Sequence, residues 1–351
     1  MLASRIESFI ELGHQIKAAI DRKDGEYEGL SKNQINLLLQ TKKAGFKNGW
    51  FTSEMVNKAL NGIVLMLNEA DLKEWTSKYS VQIEAVKEAK EVGLIMAGNI
   101  PAVGFHDLLS VLISGHKVVA KTSSVDEILM PAIVKLLVAI DGSFEDRIEI
   151  LESPRAKYDA VIATGSDNSA RYFEQYFGKY PNIIRKSRTS VAVLTGDETQ
   201  AQLEALAHDL FAYFGLGCRN VSKFLFLKDF DITPLMDELS KHDKPLVENG
   251  KYHNNIDYNK SIYLINNNPF LDGGTFLLKE DKNLQSPISV TFFERFESME
   301  EIEDYIELNK ESIQCVVSNK IKDAVDFGEA QKPKVWDYAD KVDTVEFLVS
   351  L

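Results

Sequence analysis

Val92-Gly93-Leu94-Ile95-Met96-Ala97 opens the stretch on which the fold turns; Phe105 to Ser114 follows with helical spacing, and Lys117-Val118-Val119-Ala120-Lys121 closes it as a second β-rich run. Apolar run, helix and apolar run in that order form a βαβ unit, whose two strands lie parallel. The pattern then repeats, with a helix from about Val125 to Ile140, then Arg147-Ile148-Glu149-Ile150-Leu151 and Asp159-Ala160-Val161-Ile162-Ala163. The expectation is an α/β fold with a mostly parallel sheet and helices on both faces. In such sheets ligands bind beyond the carboxyl ends of the strands, which singles out Gly98-Asn99-Ile100-Pro101, Lys121-Thr122-Ser123-Ser124 and Thr164-Gly165-Ser166. Taken one at a time, each has a plainer reading. Asn99 beside a proline is turn chemistry, Lys121 ends a strand at solvent, and Gly165-Ser166 caps a helix.

Upstream, residues 1 to about 85 are rich in Lys, Glu, Gln and Leu at helical spacing, and Thr52 with Glu54 behind it reads as a helix N-cap. Met1 to Glu7 has no continuous apolar core and does not read as a signal peptide, and no run of eighteen apolar residues exists to cross a membrane. Downstream, Val191-Ala192-Val193-Leu194 starts a second α/β unit. It continues through a polar loop from His242 to about Asn259, and strands are expected at Ser261 to Ile265, Thr275 to Leu278, Ser289 to Phe293 and Gln314 to Val317, with a helix at Met299 to Leu308.

A net charge of −13 over 351 residues argues against DNA or RNA as the partner, because phosphate binding needs clustered Lys and Arg, while leaving room for local basic patches that hold a nucleotide. The two cysteines, Cys218 and Cys315, lie far apart with no CxxC pair, and the six histidines are scattered, so neither a disulfide framework nor a metal site is expected. A soluble protein of the reducing cytoplasm fits this usage. Cys218 stands in Phe214-Gly215-Leu216-Gly217-Cys218-Arg219-Asn220-Val221, between a helix beginning near Thr199 and a strand from Ser222 to Leu227. Gly215 and Gly217 are expected to stop that helix, leaving the thiol on a tight, reachable connection. From these residues alone Cys218 reads equally as a nucleophile and as a residue that fills space. His253 is the one histidine considered as a base for it; Cys315 reads as core.

The ordered set Gly98-Asn99-Ile100-Pro101, Lys121-Thr122-Ser123-Ser124, Thr164-Gly165-Ser166 and Gly215-Leu216-Gly217-Cys218-Arg219-Asn220-Val221 resembles the aldehyde dehydrogenase superfamily, and within it the fatty-acyl-CoA reductases that supply aldehyde to bacterial bioluminescence. The resemblance runs from about Asn48 to the end of the chain, which is shorter at its N-terminus than typical members. It implies an aldehyde-dehydrogenase-like fold of two α/β domains, one Rossmann-like for the cofactor and one catalytic, with a helical N-terminal region. The domains are expected as 1–85 (helical, packed on the cofactor domain), 86–189 (NAD(P)-binding), 190–330 (catalytic, carrying Cys218) and 331–351. That last stretch is a tail in which Val342 to Val349 alternates like an exchanged oligomerisation strand.

What the resemblance implies for chemistry is an acyl-CoA reductase. Cys218 would attack the acyl thioester, with Arg219 adjacent to favour the thiolate. Asn99 and the Cys218 N–H would hold the oxyanion. Lys121 would contact the adenine-side ribose, Ser124 stands where NAD-preferring relatives carry a Glu, and Thr164, Gly165 and Ser166 would pack near pyrophosphate and nicotinamide. Loss of that carboxylate favours NADPH, with NADH as the alternative. The water-activating Glu-x-Gly-Gly-Lys of hydrolytic members is replaced by Ile183-Ile184-Arg185-Lys186-Ser187-Arg188, which has no acid, and this suits a thioacyl enzyme that must survive until hydride arrives. Arg185, Lys186 and Arg188 read either as a phosphate-facing cluster or as a solvated loop. Asn283-Leu284-Gln285-Ser286-Pro287 replaces the superfamily's Glu-x-Phe-Gly-Pro, and Asn283 is given no role. The rival readings are a CoA-independent aldehyde dehydrogenase, an acyl-phosphate reductase, and a catalytically silent nucleotide-binding protein. A homodimer or larger assembly is expected.

Overall fold

The computed structural model describes residues 1–351 apart from Asp24 and Asp243. In chain order the elements are α1 (Leu2–Ile20), α2 (Lys32–Lys47), α3 (Ser53–Met66), α4 (Glu69–Ser77), α5 (Ser80–Ala85), β1 (Glu91–Ile95), α6 (Phe105–Ile113), β2 (Lys117–Lys121), α7 (Leu129–Ile140), β3 (Ile148–Leu151), β4 (Ala160–Thr164), α8 (Asp167–Phe177) and β5 (Asn182–Arg185). There follow β6 (Thr189–Leu194), α9 (Gln200–Phe211), β7 (Val221–Leu227), α10 (Thr233–Leu239), α11 (Lys244–Val247), α12 (Gly250–Ile265), β8 (Leu271–Asp272), β9 (Leu277–Glu280), β10 (Val290–Phe296), α13 (Met299–Leu308), β11 (Ile313–Val317) and α14 (Thr344–Val349). The chain divides into two compact units, Met1–Ser187 with Pro333–Leu351, and Arg188–Lys332.

In the first unit a five-stranded sheet runs β3-β2-β1-β4-β5, all parallel. Ile95 pairs with Lys121 on one side and Ala163 on the other, so the turns after β1, β2 and β4 leave one edge together. The strand order reverses across β1, the topological switch point of a doubly wound sheet. The helices before β1 share one core with the sheet: Phe9, Leu12, Leu60 and Trp75 pack in the same cluster as Val92, Leu94 and Leu109. Thr52 caps α3 by accepting from Met55 N–H, and Ser31 with Gln34 forms a reciprocal capping box on α2.

The second unit carries a six-stranded sheet, β11-β6-β7-β10-β9-β8, parallel except for the β8–β9 pair. Its core is aromatic, with Phe226 stacked on Phe230 at a centroid distance of 4.4 Å.

Three expectations fail locally. Ser261 to Ile265, expected as a strand, is the end of α12, and most of the expected 242–259 loop is α11 and α12; Asp243 within it lies outside the described residues. The buried stripe of α12 is Tyr252, Ile256, Asn259 and Tyr263, whose polar atoms hide a 3.6-residue period from a hydropathy reading. Val342 to Val349, expected as an exchanged strand, is instead mostly α14, capped by Asp343 accepting from Glu346 N–H and burying Thr344, Val345 and Leu348 in its own unit. Finally, β5 forms where no element was expected. No helix among the described residues is long and apolar enough to cross a membrane.

Candidate active site

Thr199 and Gln202 form a capping box that starts α9, and the helix ends at Phe211, before either glycine. Tyr213, Phe214 and Gly215 then take positive φ of 51°, 58° and 77° in succession. For the tyrosine and phenylalanine this left-handed backbone costs about 1–2 kcal/mol each. Burial holds them there: Phe214 packs on Tyr252 with ring centroids 5.9 Å apart, and both aromatics are buried. Glycine is needed only at the third position, where nothing offsets the strain.

Cys218 follows on an exposed turn, closed by Asn220 N–H donating to Gly217 C=O at 3.0 Å. The turn is held from three directions. Ser190 on β6 donates its hydroxyl to the Cys218 carbonyl at 2.9 Å, and the same oxygen accepts from Cys315 N–H at 3.2 Å and lies 3.1 Å from Cys315 Sγ. Cys315, expected in the core, is half-buried and packs against the core of its unit. Arg219 donates Nε–H to Ala330 C=O. Asn220 ties the turn to α9 from beneath.

Asp209 on α9 is fully buried and accepts Gly328 N–H at 2.7 Å and Ala330 N–H at 3.0 Å. It thereby fixes the segment on which Arg219 rests. Desolvation pushes its carboxyl up to about 6. The loop after β9 is fastened by Ser222, which donates to Leu284 C=O and accepts from Ser286 N–H, both at 2.9 Å. His253 sits on α12, with Nε2 3.7 Å from Asp257 and an exposed side chain.

The remaining candidates belong to the first unit. Asn99 is exposed on the turn between β1 and α6. A Cβ at Gly98 would lie 2.5 Å from the Ser123 side chain, so this turn and the one after β2 touch through a glycine. Asp126, buried after β2, accepts Ala102 N–H at 2.7 Å, while Ala102 itself has φ 52°. Its carboxyl, too, is pushed up to about 6 by desolvation. Lys121 donates Nζ–H to its neighbour's carbonyl at Thr122, and Ser124 is exposed. Ser166 caps α8, accepting Ser169 N–H at 3.3 Å. A Cβ at Gly165 would meet Phe173 and Ser169 at 2.8 Å, so α8 packs directly on the glycine. Two close-packed glycine turns, a capped helix start and Lys121 on one sheet edge fit the pyrophosphate and ribose of a dinucleotide.

The basic stretch does not form a phosphate-facing cluster. Arg185 is 4 % exposed and donates to both Asp107 oxygens at 2.8 and 2.6 Å and to Thr344 Oγ1 at 3.0 Å. Lys186 pairs with Glu174 at 3.0 Å, and Arg188 has Nη2 3.8 Å from Glu311. Sequence reading also passed over Ser190, Asp209 and Asp126, single polar residues in apolar or turn contexts with no periodic trace. No group of three or more His, Cys, Asp or Glu that could hold a metal occurs among the described residues.

Comparison with known proteins matches residues 22–241 to the family described as acyl-CoA reductase (LuxC). Long-chain acyl-protein thioester reductase 2 of Photobacterium leiognathi is 22% identical over 185 residues, 48% of this chain and only 38% of that protein. Among solved structures, aldehyde dehydrogenase 21 from Physcomitrella patens, in complex with the reaction product succinate, superposes with a TM-score of 0.65 at 11% identity, over 97% of this chain and 84% of that one. Glyceraldehyde-3-phosphate dehydrogenase GapN from Methanocaldococcus jannaschii, complexed with NADP, gives 0.60 at 14% identity, over 92% and 77%. The fold is that of the aldehyde dehydrogenases.

Proposed function

The chain belongs to the acyl-CoA reductase (LuxC) family, and on that premise we propose that it reduces an activated acyl group, most simply a fatty acyl-CoA, to the aldehyde. Cys218 attacks the thioester carbon, the bond to the CoA sulfur breaks, and CoA leaves as its thiolate, giving a thioacyl enzyme on Cys218. Asn99 and the Cys218 N–H donate to the carbonyl oxygen while it carries negative charge. NADPH, held by the residues assigned below, would supply the hydride that this carbon accepts. The Cys218–carbon bond then breaks, releasing aldehyde and restoring the Cys218 thiolate. Lys121 and Ser124 are assigned to the adenine-side ribose, Thr164, Gly165 and Ser166 to the pyrophosphate and nicotinamide half, and the reaction to a reducing cytoplasm.

The observation that carries this reading is an exposed cysteine on a strained turn whose backbone is fixed by Ser190, Arg219 and Asn220. Such immobilisation serves a reacting atom, since misplacement by about 1 Å costs on the order of 10²-fold. The β5 region supports reduction over hydrolysis: Arg185 there is locked on Asp107 and no carboxylate stands in Ile183 to Arg188 to activate water. A second donor is favoured by the name of the Photobacterium relative, an acyl-protein thioester reductase, because the same attack serves a thioester on a protein.

The test is product analysis with NADPH and acyl-CoAs of increasing chain length, beside an acyl-protein thioester. Stoichiometric aldehyde and NADP⁺ from either donor, with no acid, is the expected result. Acid formed from free aldehyde without CoA would instead identify a CoA-independent dehydrogenase. Absence of both, with NADPH leaving thermal stability unchanged, would support the silent reading.

A further inference from the structure

Asn220 stands two residues beyond Cys218, is 2 % exposed, and directs its side chain entirely at backbone. Its Nδ2 lies 3.1, 3.2 and 2.9 Å from the carbonyl oxygens of Asp209, Leu210 and Ala212. Its Oδ1 accepts the Gly217 N–H at 2.8 Å. Two of these carbonyls belong to the last turn of α9, a helix of 12 residues, and the third to the extended residue Ala212 that ends it. Unsatisfied carbonyls at a helix C-terminus carry roughly half a negative charge and disfavour any anion close by. Ala212 is extended and Tyr213 to Gly215 take positive φ, so the chain turns out of the helix here, and the Asn220 side chain supplies donors to these carbonyls.

We infer that Asn220 is a positioning residue for Cys218: its carboxamide fixes the peptide that precedes the thiol and shields the thiol from the negative end of α9. This rests on the proposed role of Cys218 as the attacking group. The geometry assigns the two functions to two ends of one amide. Oδ1 on Gly217 N–H sets where the cysteine backbone lies, and the Nδ2 protons on the α9 carbonyls set the field in which a thiolate forms.

The charged or titratable groups of the turn and of the elements packed against it include Tyr213 in the turn, Arg219 on Ala330, Asp209 on α9, Glu329 and Lys332 in the segment Asp209 holds, Cys315 across Ser190, the Lys223–Glu294 pair on β7 and β10, and Lys251, Tyr252 and His253 on α12; burial pushes both tyrosine hydroxyls up. Asp209 ionises at about 6. A comparison made above neutral pH therefore holds its charge constant.

The experiment follows carbamidomethylation of Cys218 by iodoacetamide from about pH 7 to about pH 10, by mass of the Cys218 peptide, in the full chain and in Asn220→Ala and Asn220→Ser. Thermal midpoints and acyl transfer from an acyl-CoA are measured alongside. Loss of the shielding donors is expected to raise the pH midpoint of alkylation by roughly half to one unit in the Ala variant, and by less in the Ser variant, which keeps one hydroxyl donor. The limiting rate at high pH stays within about twofold, because the thiol remains exposed. Acyl transfer is expected to slow by roughly tenfold or more with KM unchanged. An unmoved midpoint in both variants, whatever happens to thermal stability, overturns the inference; should Asn220→Ala not fold, Asn220→Ser decides alone by the same criterion. If the parent accepts no acyl group and the midpoint still moves, the shielding stands and the proposed reaction falls. If acylation proceeds and the midpoint does not move, the reverse holds.

Discussion

Removing the sulfur of Cys218 removes the only atom in this account that bonds to the acyl carbon, so Cys218→Ser is expected to abolish acyl transfer while leaving the fold intact. If Asn99 is the oxyanion donor proposed above, Asn99→Ala removes an interaction typically worth about 2.7–4 kcal/mol, and kcat is expected to fall about 10²- to 10³-fold with little change in KM. Steady-state kinetics checks this; an unchanged kcat would remove Asn99 from the mechanism. Element boundaries placed both residues on connections, Asn99 after an apolar run and Cys218 between a helical period and a strand, but only the resemblance of the ordered motifs to a known family singled them out. Asn220 and Ser190 were singled out by neither. Apart from the Cys315 sulfur beside Ser190, their partners are backbone atoms brought together by folding, as with Ser190 and Cys218, 28 positions apart, and buried polar side chains leave no periodicity.

At the scale of elements, Arg185 joins β5 to α6 through Asp107 and to α14 through Thr344. A basic run suggested a surface; burial of the arginine with both carboxylate oxygens satisfied makes it a structural bolt. Breaking one side of a buried pair leaves an uncompensated charge and costs about 3–5 kcal/mol, whereas replacing both partners by apolar groups costs far less. Arg185→Met alone is therefore expected to destabilise strongly, and Asp107→Leu with Arg185→Met to recover most of the loss, by urea denaturation. Equal losses in the single and double variants would mean that packing, and not charge, is what Arg185 supplies. The same region explains the misread tail. Val342 to Val349 alternates, but Val345 and Leu348, three apart, are the residues that pack, and an Asp343 cap settles the competition in favour of helix. In α12 the error ran through Tyr and Asn, which build a buried stripe that hydropathy alone undervalues.

For the whole molecule, the parallel order of the first sheet was legible because fully buried parallel strands are uninterrupted apolar runs, whereas the second unit was legible only as α/β. The six-strand order was not, since pairing partners such as β11 and β6 are distant in sequence. Each unit also buries one carboxyl held near 6, Asp126 in the first and Asp209 in the second. Their ordinary value is 3.8, so between that and about 6 the folded state binds more protons than the unfolded chain. Stability from these groups accordingly falls as pH rises through that window, by about 3 kcal/mol per site at 1.36 kcal/mol per unit. Relative to an Asp126→Asn/Asp209→Asn variant, the parent is expected to lose ground in urea unfolding between about pH 4 and about pH 7. A constant difference would contradict the burial of these acids.

Reduction through Cys218 requires a covalent acyl group on one sulfur, and intact-mass spectrometry reads it directly. Incubated with acyl-CoA alone, the chain is expected to gain one acyl mass, mapped to the Cys218 peptide, and to lose it as aldehyde when NADPH is added. An unmodified mass with every acyl donor, or a label on Cys315 in place of Cys218, would contradict it.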